Sequence, residues 1–572
     1  MTRRRWIWLG VVVLLGWVVV AGVLVADAGR HLRSARDTAS DTVDRIDPSN
    51  LLSSDVAAPL EDAAADFEAA HSRLDNPLLT PVRWLPVLGR QLRSVDASAD
   101  SAGEAVRLAA SALRRTRAAV DRPIADGPAR LAVIDELASA VGAARAGMAR
   151  LDLGPDEALI GPVRTVHRDL AERVEEARDA LARADEGLTA TRKLLGGPSR
   201  YLVIAANNAE MRAGSGMWLT GGILTTENGR LSLGDMEPIY RIATPTTPVD
   251  VAAVDRDLQD NWGWMHPDIE WRSLMASPRF VPSAEVGARM WAATGHEPVD
   301  GVLVLDAVGL GNLVGATGPV TIDGRPYDRD AIVREVLHDQ YVRYRTTYQS
   351  TRREALSEVA SAVFDRIDAG TWKADELARR ITDSVRGRHL MLWAADAASQ
   401  KAWAAAGASG TLQTDSLAVS MLNRGGNKLD WFLRSTAKLS SARDGDDRVV
   451  TLELTYTNTV REGEPQYISG PYPGTGTVKD EYKGVLAVNL PGFARDITLD
   501  GVPTEIRGDD GPTKLMAGSL RLERGEHATV TVRFRMDADD TFVVAPSARF
   551  QGTPWTLGSA TWRDDRAHRV RF

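Results

Sequence analysis

The chain has 572 residues, 44% of them hydrophobic, which is more than one core supports and divides into roughly three or four units. Its 77 acidic and 69 basic residues leave a formal charge of -8, which excludes a global pull toward nucleic acid and confines any basic site to a local patch. There is no cysteine, which excludes disulfides, zinc-thiolate sites and a thiol nucleophile.

The first element follows three arginines. Trp6 to Ala26, WIWLGVVVLLGWVVVAGVLVA, is an uncharged run with the length of a bilayer-crossing helix. It predicts a cytoplasmic tail over residues 1–5, a transmembrane anchor over 6–26 and everything after it outside the cell membrane, a single-pass arrangement. Ala26-Asp27-Ala28 resembles a cleavage site, so a removed signal peptide is the alternative. The run exceeds a typical signal core, and Trp6, Trp8 and Trp17 suit a resident anchor.

From Asp27 to Gly196 the chain is rich in Ala, Arg, Asp, Glu and Leu, and Leu170, Val174, Ala177 and Leu181 recur at helical spacing. Breaks at DPSN, DNPLLTP, DRPIADGP and LGPDEALIGP divide it into several helices, an all-α bundle or stalk over residues 27–196. One stretch departs from this texture. Leu78 to Leu92, LLTPVRWLPVLGRQL, is too apolar and too proline-rich for a solvated helix, and reads first as a buried corner of the bundle, with an exposed loop touching a membrane surface or a partner as the alternative. Trp84 with Arg83 and Arg90 serves either role.

At Tyr201 the texture turns to strands and turns: YLVIA, then WLTGGILTTENGRLSLGD, a strand, an Asn-Gly turn and a strand. Helical segments follow, among them PSAEVGARMWAATG and DRDAIVREVLHDQYVR, with the apolar strand VDGVLVLD between them. The mixture predicts a central α/β domain with a mixed sheet over residues 197–415. Past the glycine-rich junction NRGGNKLD, the period-two runs VVTLELTYTNTV, YKGVLAVNLP and HATVTVRFRM predict an antiparallel β-sandwich over residues 428–572.

Two segments carry candidate chemistry. In NNAEMRAGSG, Arg212 stands at the carboxyl end of a strand, where α/β sheets form ligand crevices, and its fork suits phosphate or carboxylate oxygens. Gly214, Gly216, Gly221 and Gly222 would let a ligand approach backbone N–H groups, with Asn207, Asn208 and Glu210 orienting the arginine. The structural alternative has the amides capping a turn and Glu210 paired with Arg212. In DNWGWMHPDIEWR, Asp260, His266, Asp268 and Glu270 are candidate metal ligands or acid-base groups. Trp262, Trp264 and Trp271 would stack on sugars or wall a cleft, with Arg272 nearby. The alternative is a buried aromatic loop with a polar surface, which is the stronger reading for His266 alone, whereas Asp260 and Asp268 beside Arg272 favour the functional one.

The order YLVIAANNAEMRAGSGMWLTGG, TTENGRLSLGD, NWGWMHPDI and VDGVLVLDAVGLGNLVGATGPVTIDG resembles a widespread bacterial family of membrane-anchored extracytoplasmic proteins catalogued as a domain of unknown function. Its hallmarks are Asn-Asn-x-Glu-x-Arg, Pro-Asp and Asp-Gly-Val...Gly-Pro-Val, matched over about residues 200–325; the resemblance brings no activity. The last segment is also similar in plan to the LytR-CpsA-Psr phosphotransferases, which move lipid-pyrophosphate-linked glycopolymers to the cell wall. That likeness implies Arg212 as pyrophosphate clamp and Asp268, with Asp260, as holders of Mg2+. The chain departs from it: AAN stands where an arginine-aspartate pair is expected, and the Pro-Arg-Asp motif is missing.

Two classes of function follow. One is an envelope enzyme or pseudo-enzyme acting on a polyprenyl-pyrophosphate-linked glycan, with Arg212 and Asp268 in the chemistry and Asn207, Asn208, Glu210, Trp264 and Arg272 in binding. The other is a non-catalytic ligand-binding, sensory or scaffold protein with cell-wall polysaccharide or envelope proteins as partners. Walker A, GxGxxG, GxSxG and HExxH signatures are absent from the sequence.

Overall fold

The structure, a computed structural model, describes the backbone of residues 3–45, 56–122, 124, 126–242, 244–322, 324–343, 349–370 and 372–572, and the side chains of these residues outside 3–16, 43–45 and 349–358. The DPSN break and residues 1 and 2 of the expected tail lie outside the described residues. The chain divides into two compact units, Met1–Pro123 with Ala132–Thr189, and Ile124–Leu131 with Ala190–Phe572.

The first unit is helical. Helices Arg3–Arg45, Ala57–Leu74 and Leu88–Val120 pack on a seam in which Ala21 and Ala28 meet Ala70, Leu74, Leu79, Leu92 and Ala99. Helices Gly127–Met148 and Gly161–Gly196 contribute their larger parts to the same unit. The expected transmembrane anchor over 6–26 is overturned: no helix among the described residues is long and apolar enough to cross a membrane. The apolar run is not a separate element. It continues without interruption into the charged stretch holding Asp27, Arg30, Arg33, Arg36 and Asp37, and where its side chains are described Trp17, Ala21 and Leu24, with Ala28 just beyond it, pack against neighbouring helices.

The second unit opens with β1 (Ser199–Met211), β2 (Gly216–Glu227), β3 (Arg230–Leu233), β4 (Glu237–Pro238) and β5 (Gly301–Asp306), then a small hairpin of β6 (Val320–Ile322) and β7 (Arg325–Tyr327), then β8 (Leu390–Ala394). The central sheet runs β3-β2-β1-β5-β8, with β4 also on β2; β1 and β5 are parallel and the other pairs antiparallel. Side chains of β1 alternate between two cores. Leu202 and Ile204 face Trp218, Phe280 and Met290, the last two from helix Phe280–Ala293, while Tyr201 and Val203 face Leu224 and Phe364.

Twelve more strands follow: β9 (Ser416–Asn423), β10 (Leu433–Asp444), β11 (Asp447–Asn458), β12 (Tyr482–Pro491), β13 (Arg495–Asp500), β14 (Thr504–Asp510), β15 (Thr513–Leu522), β16 (His527–Asp537), β17 (Phe542–Val544), β18 (Pro554–Leu557), β19 (Ala560–Arg563) and β20 (His568–Val570). They form two sheets, β13-β16-β11-β10-β18-β19 and β14-β15-β12-β9-β17-β20. These sheets are mixed, which corrects the expected antiparallel sandwich. The closing segment folds back so that β18 lies parallel to β10 and β17 parallel to β9.

The β9-β12-β15 layer is covered on both faces. Leu486, Val488 and Leu490 of β12 join Val450, Leu452, Val532 and Phe534 of the opposing sheet, whereas Val485 and Ala487 join the core under the central sheet. That double coverage explains why VLAVNL reads as a near-continuous apolar run, since a strand with no solvent face needs no polar alternation.

Where this body closes, Asp564 is buried and its carboxylate accepts the Thr553 N–H at 2.5 Å. Burial pushes its pKa up to about 6. The folded chain therefore holds this proton more tightly than the unfolded one, so stability from this group is present below the ordinary carboxylate range and is lost as pH rises through about 6. Asp564→Asn should remove that slope: compared by thermal melting, the variant gains on the wild type by roughly 1–3 kcal/mol between pH 4 and pH 7.

Candidate functional site

The NNAEMR segment is the bulged end of β1. Pairing with β2 holds through Asn207 opposite Met217 and resumes only at Met211 opposite Gly216, so Asn208, Ala209 and Glu210 have no partner on β2. A bulge re-aims side chains and frees backbone groups for other bonds. Here those bonds lead to distant parts of the same unit. Asn207 donates to the Tyr341 hydroxyl at 2.6 Å and accepts from the Ala209 N–H. Asn208 donates to Asp306 at 2.8 Å and to the Ala548 carbonyl at 2.9 Å. The Met211 N–H donates to the Asp430 carboxylate at 3.0 Å.

Glu210 and Lys428 form a buried ion pair at 2.6 Å, with the Lys428 ammonium 4.8 Å from the Tyr467 ring centre and 5.4 Å from that of Tyr341. Glu210 is thus the partner of Lys428 and not of Arg212. The Arg212 guanidinium is buried and donates to the carbonyls of Arg272 at 2.8 Å, Met211 at 3.0 Å and Asn423 at 3.0 Å. Burial draws its pKa down to about 10, with the charge of Glu210 opposing the shift. None of the hydrogen bonds made by Asn207, Asn208 and Glu210 goes to Arg212.

The glycine expected to admit a ligand admits the protein itself. A Cβ on Gly216 would stand 2.3 Å from the Asn207 carbonyl carbon, so the bulge closes on β2 only where a side chain is missing.

The sequence reading missed the other half of this constellation. NRGGNKLD is not merely a glycine-rich junction: it supplies Asn423, Asn427, Lys428 and Asp430, all buried. Asn423 donates to Asp430 at 2.8 Å, Tyr482 donates to the same carboxylate at 2.9 Å, and burial raises the Asp430 pKa. The available signal was a dense group of amides and charges between two apolar runs, SLAVSML and WFL. Asp306 was missed too. It caps helix Ala307–Thr317 through the N–H groups of Val308 and Gly309, and its other oxygen lies 2.7 Å from His389 Nδ1.

The second predicted segment lies in a different setting. Asp260 is exposed beside Arg256, Asp268 lies 3.8 Å from an exposed His266, and Arg272 is forked onto Glu270 at 2.9 and 2.6 Å. Among the described residues, no three His, Asp or Glu side chains gather in the way a Mg2+ or other metal site requires. Trp262 and Trp271 are buried, but Trp264 is 48% exposed, donates to the Asn261 carbonyl and carries the Arg424 guanidinium 4.9 Å from its ring centre. It borders an open cleft of about 450 Å3 lined by Asp260, Asn261, Trp264, Glu505, Ile506 and Arg507.

Fold and site together define a mixed α/β sheet joined by a buried polar cluster to a two-sheet body. Within it, residues 196–341 carry a domain of the family described as "Protein of unknown function (DUF4012)". No curated protein matches the chain. Among solved structures, a Legionella pneumophila protein described provisionally as nutrient binding is similar at 8% identity and a TM-score of 0.16, over 25% of this chain and 54% of that one.

Because both partners are buried, removing one of the Glu210–Lys428 charges strands the other. Glu210→Ala and Lys428→Met should each cost about 3–5 kcal/mol in chemical denaturation. The double variant Glu210→Leu/Lys428→Met should lose clearly less than the sum of the two.

Proposed function

We infer that this chain is a non-catalytic binding protein that takes a glycan at the Trp264 cleft. The observation that carries this reading is the half-exposed indole of Trp264, set beside a carboxylate from Asp260, the Asn261 amide, Glu505 and Arg507. A sugar ring presents an apolar face to an aromatic ring and hydroxyls to carboxylates, amides and guanidinium groups, which is the mixture found here. The Arg424 guanidinium fixes the ring by lying across it at 4.9 Å, and the Trp264 N–H bond to Asn261 sets its plane. Ordered aromatic surface of this kind binds at a small entropic cost.

A phosphotransfer reading makes a heavier demand. To grip a pyrophosphate, Arg212 would have to surrender the carbonyls of Met211, Arg272 and Asn423, which its burial leaves no water to replace. The cleft needs no such rearrangement. Polysaccharide of the cell envelope is the ligand class that fits a shallow, open site of this size better than a small enclosed metabolite.

Titration of the full chain with a panel of soluble oligosaccharides, followed by calorimetry, tests the reading. Trp264→Ala should weaken the tightest binder by about tenfold or more, equivalent to about 1.4 kcal/mol, with thermal melting unchanged. Equal affinity in the variant and the wild type, or no saccharide bound by the wild type, would overturn it.

A further inference from the structure

The Trp264 cleft holds charges of both signs, and only some of them are matched. Asp260 lies 3.6 Å from Arg256, and Glu505 accepts the Ser519 hydroxyl. Arg507, two residues further along β14, is exposed and makes no ion pair among the described residues. Arg424 is placed by its backbone, whose N–H donates to the Lys483 carbonyl at 2.8 Å just past the end of β9. Its guanidinium lies over the Trp264 ring and makes neither a hydrogen bond nor an ion pair with any described residue.

A guanidinium carries five N–H donors, and drawing it partly out of water without an acceptor costs stability. Burial lowers the Arg424 pKa, and no carboxylate stands near enough to raise it again. The surroundings deepen this deficit. Burial is also what chiefly lowers the Arg212 pKa, against the charge of Glu210, and the charge of Arg424 adds to the fall. Glu210 is committed to Lys428 and Glu270 to Arg272. Arg212 and Arg424 thus share a neighbourhood in which neither has an ion pair among the described residues.

Resting on the glycan reading above, we propose that the cleft selects a sugar carrying an anionic substituent, a carboxylate or a phosphate, which Arg424 receives while the sugar ring lies against Trp264. Such a group gains charge-assisted hydrogen bonds from a fork that the protein itself leaves unused. Arg507 is a second cation on the β14 wall, whereas Asp260 and Glu505 repel an anion from their own positions and so orient the sugar. The chain's formal charge of -8 disfavours anions at long range, which makes the preference a property of this cleft alone.

The test uses the full chain and reads a ratio of affinities by calorimetry. The probes are a trimer of α-1,4-linked galacturonic acid, the galactose trimer of the same linkage, and that neutral trimer phosphorylated at O6. The wild type should bind one charged trimer at least about tenfold more tightly than the neutral one, the worth of a single charge-assisted pair, and the tighter of the two identifies the substituent. Arg424→Gln should bring this ratio down to about two or less. Arg424→Lys keeps the charge without the fork and should retain part of it. Lys438→Gln, exposed on β10 and outside the cleft, should leave it unchanged. Loss of support for the indole weakens charged and neutral trimers alike, so the ratio separates recognition of the anion from positioning of the ring. A wild-type ratio near one overturns the inference, as does a ratio that survives Arg424→Gln; neutral sugar still bound through Trp264 would leave the glycan reading standing. Binding of none of the three overturns the inference too, and the glycan reading falls with it only when the wild type also ignores the wider oligosaccharide panel.

Discussion

The second unit depends on the buried ion pair between Glu210 and Lys428 and on the bonds that surround it. A charge removed from water needs an opposite charge and satisfied hydrogen bonds, and each of the two residues supplies what the other lacks. Around them Met211 donates to Asp430 across 219 residues of sequence, and Arg212 gathers carbonyls from three separate segments. An apolar contact tolerates sliding, whereas this cluster is satisfied in one relative placement of β1 and the 423–430 segment. The bulge in β1 is the local condition for it, because a regular ladder with β2 would have kept Glu210 in the sheet pattern.

The layered arrangement follows from that join. With β1 bonded to the 423–430 segment, β9 and β12 lie under the central sheet as well as over the opposing sheet, and the two cores share a wall. The Trp264 cleft is placed by the same scaffold. Asn261 donates to the Asp509 carbonyl next to β14's last residue, so the aromatic loop and the β14 segment carrying Glu505 and Arg507 are held side by side.

Much of the secondary structure was legible, because period and turn chemistry are local. YLVIA, the Asn-Gly hairpin and the Ala-rich helices appear where their patterns place them. The polar end of β1 was legible as a concentration of unusual side chains, but its partners were not. Lys428, Asp430 and Ala548 reach it from far along the chain, and long-range pairing leaves no periodic trace. The expectation for 6–26 failed for a related reason. Hydropathy registers that a run is apolar, but not that Trp17, Ala21, Leu24 and Ala28 are committed to other helices or that the helix continues into charge. The parallel returns of β17 and β18 escaped because alternation within a strand carries no sign of its neighbour's direction.

The reach of Asn208 to Ala548, across 340 residues, bears on how the chain is made. On a ribosome, residues 196–341 emerge long before the segments that neutralise Glu210 and occupy Arg212. Until then the end of β1 carries unmatched charge and amide groups, and the central sheet has no floor beneath one face. The last contacts of residues 196–341 therefore wait for the C-terminal strands, the slow regime expected of contacts so distant in sequence.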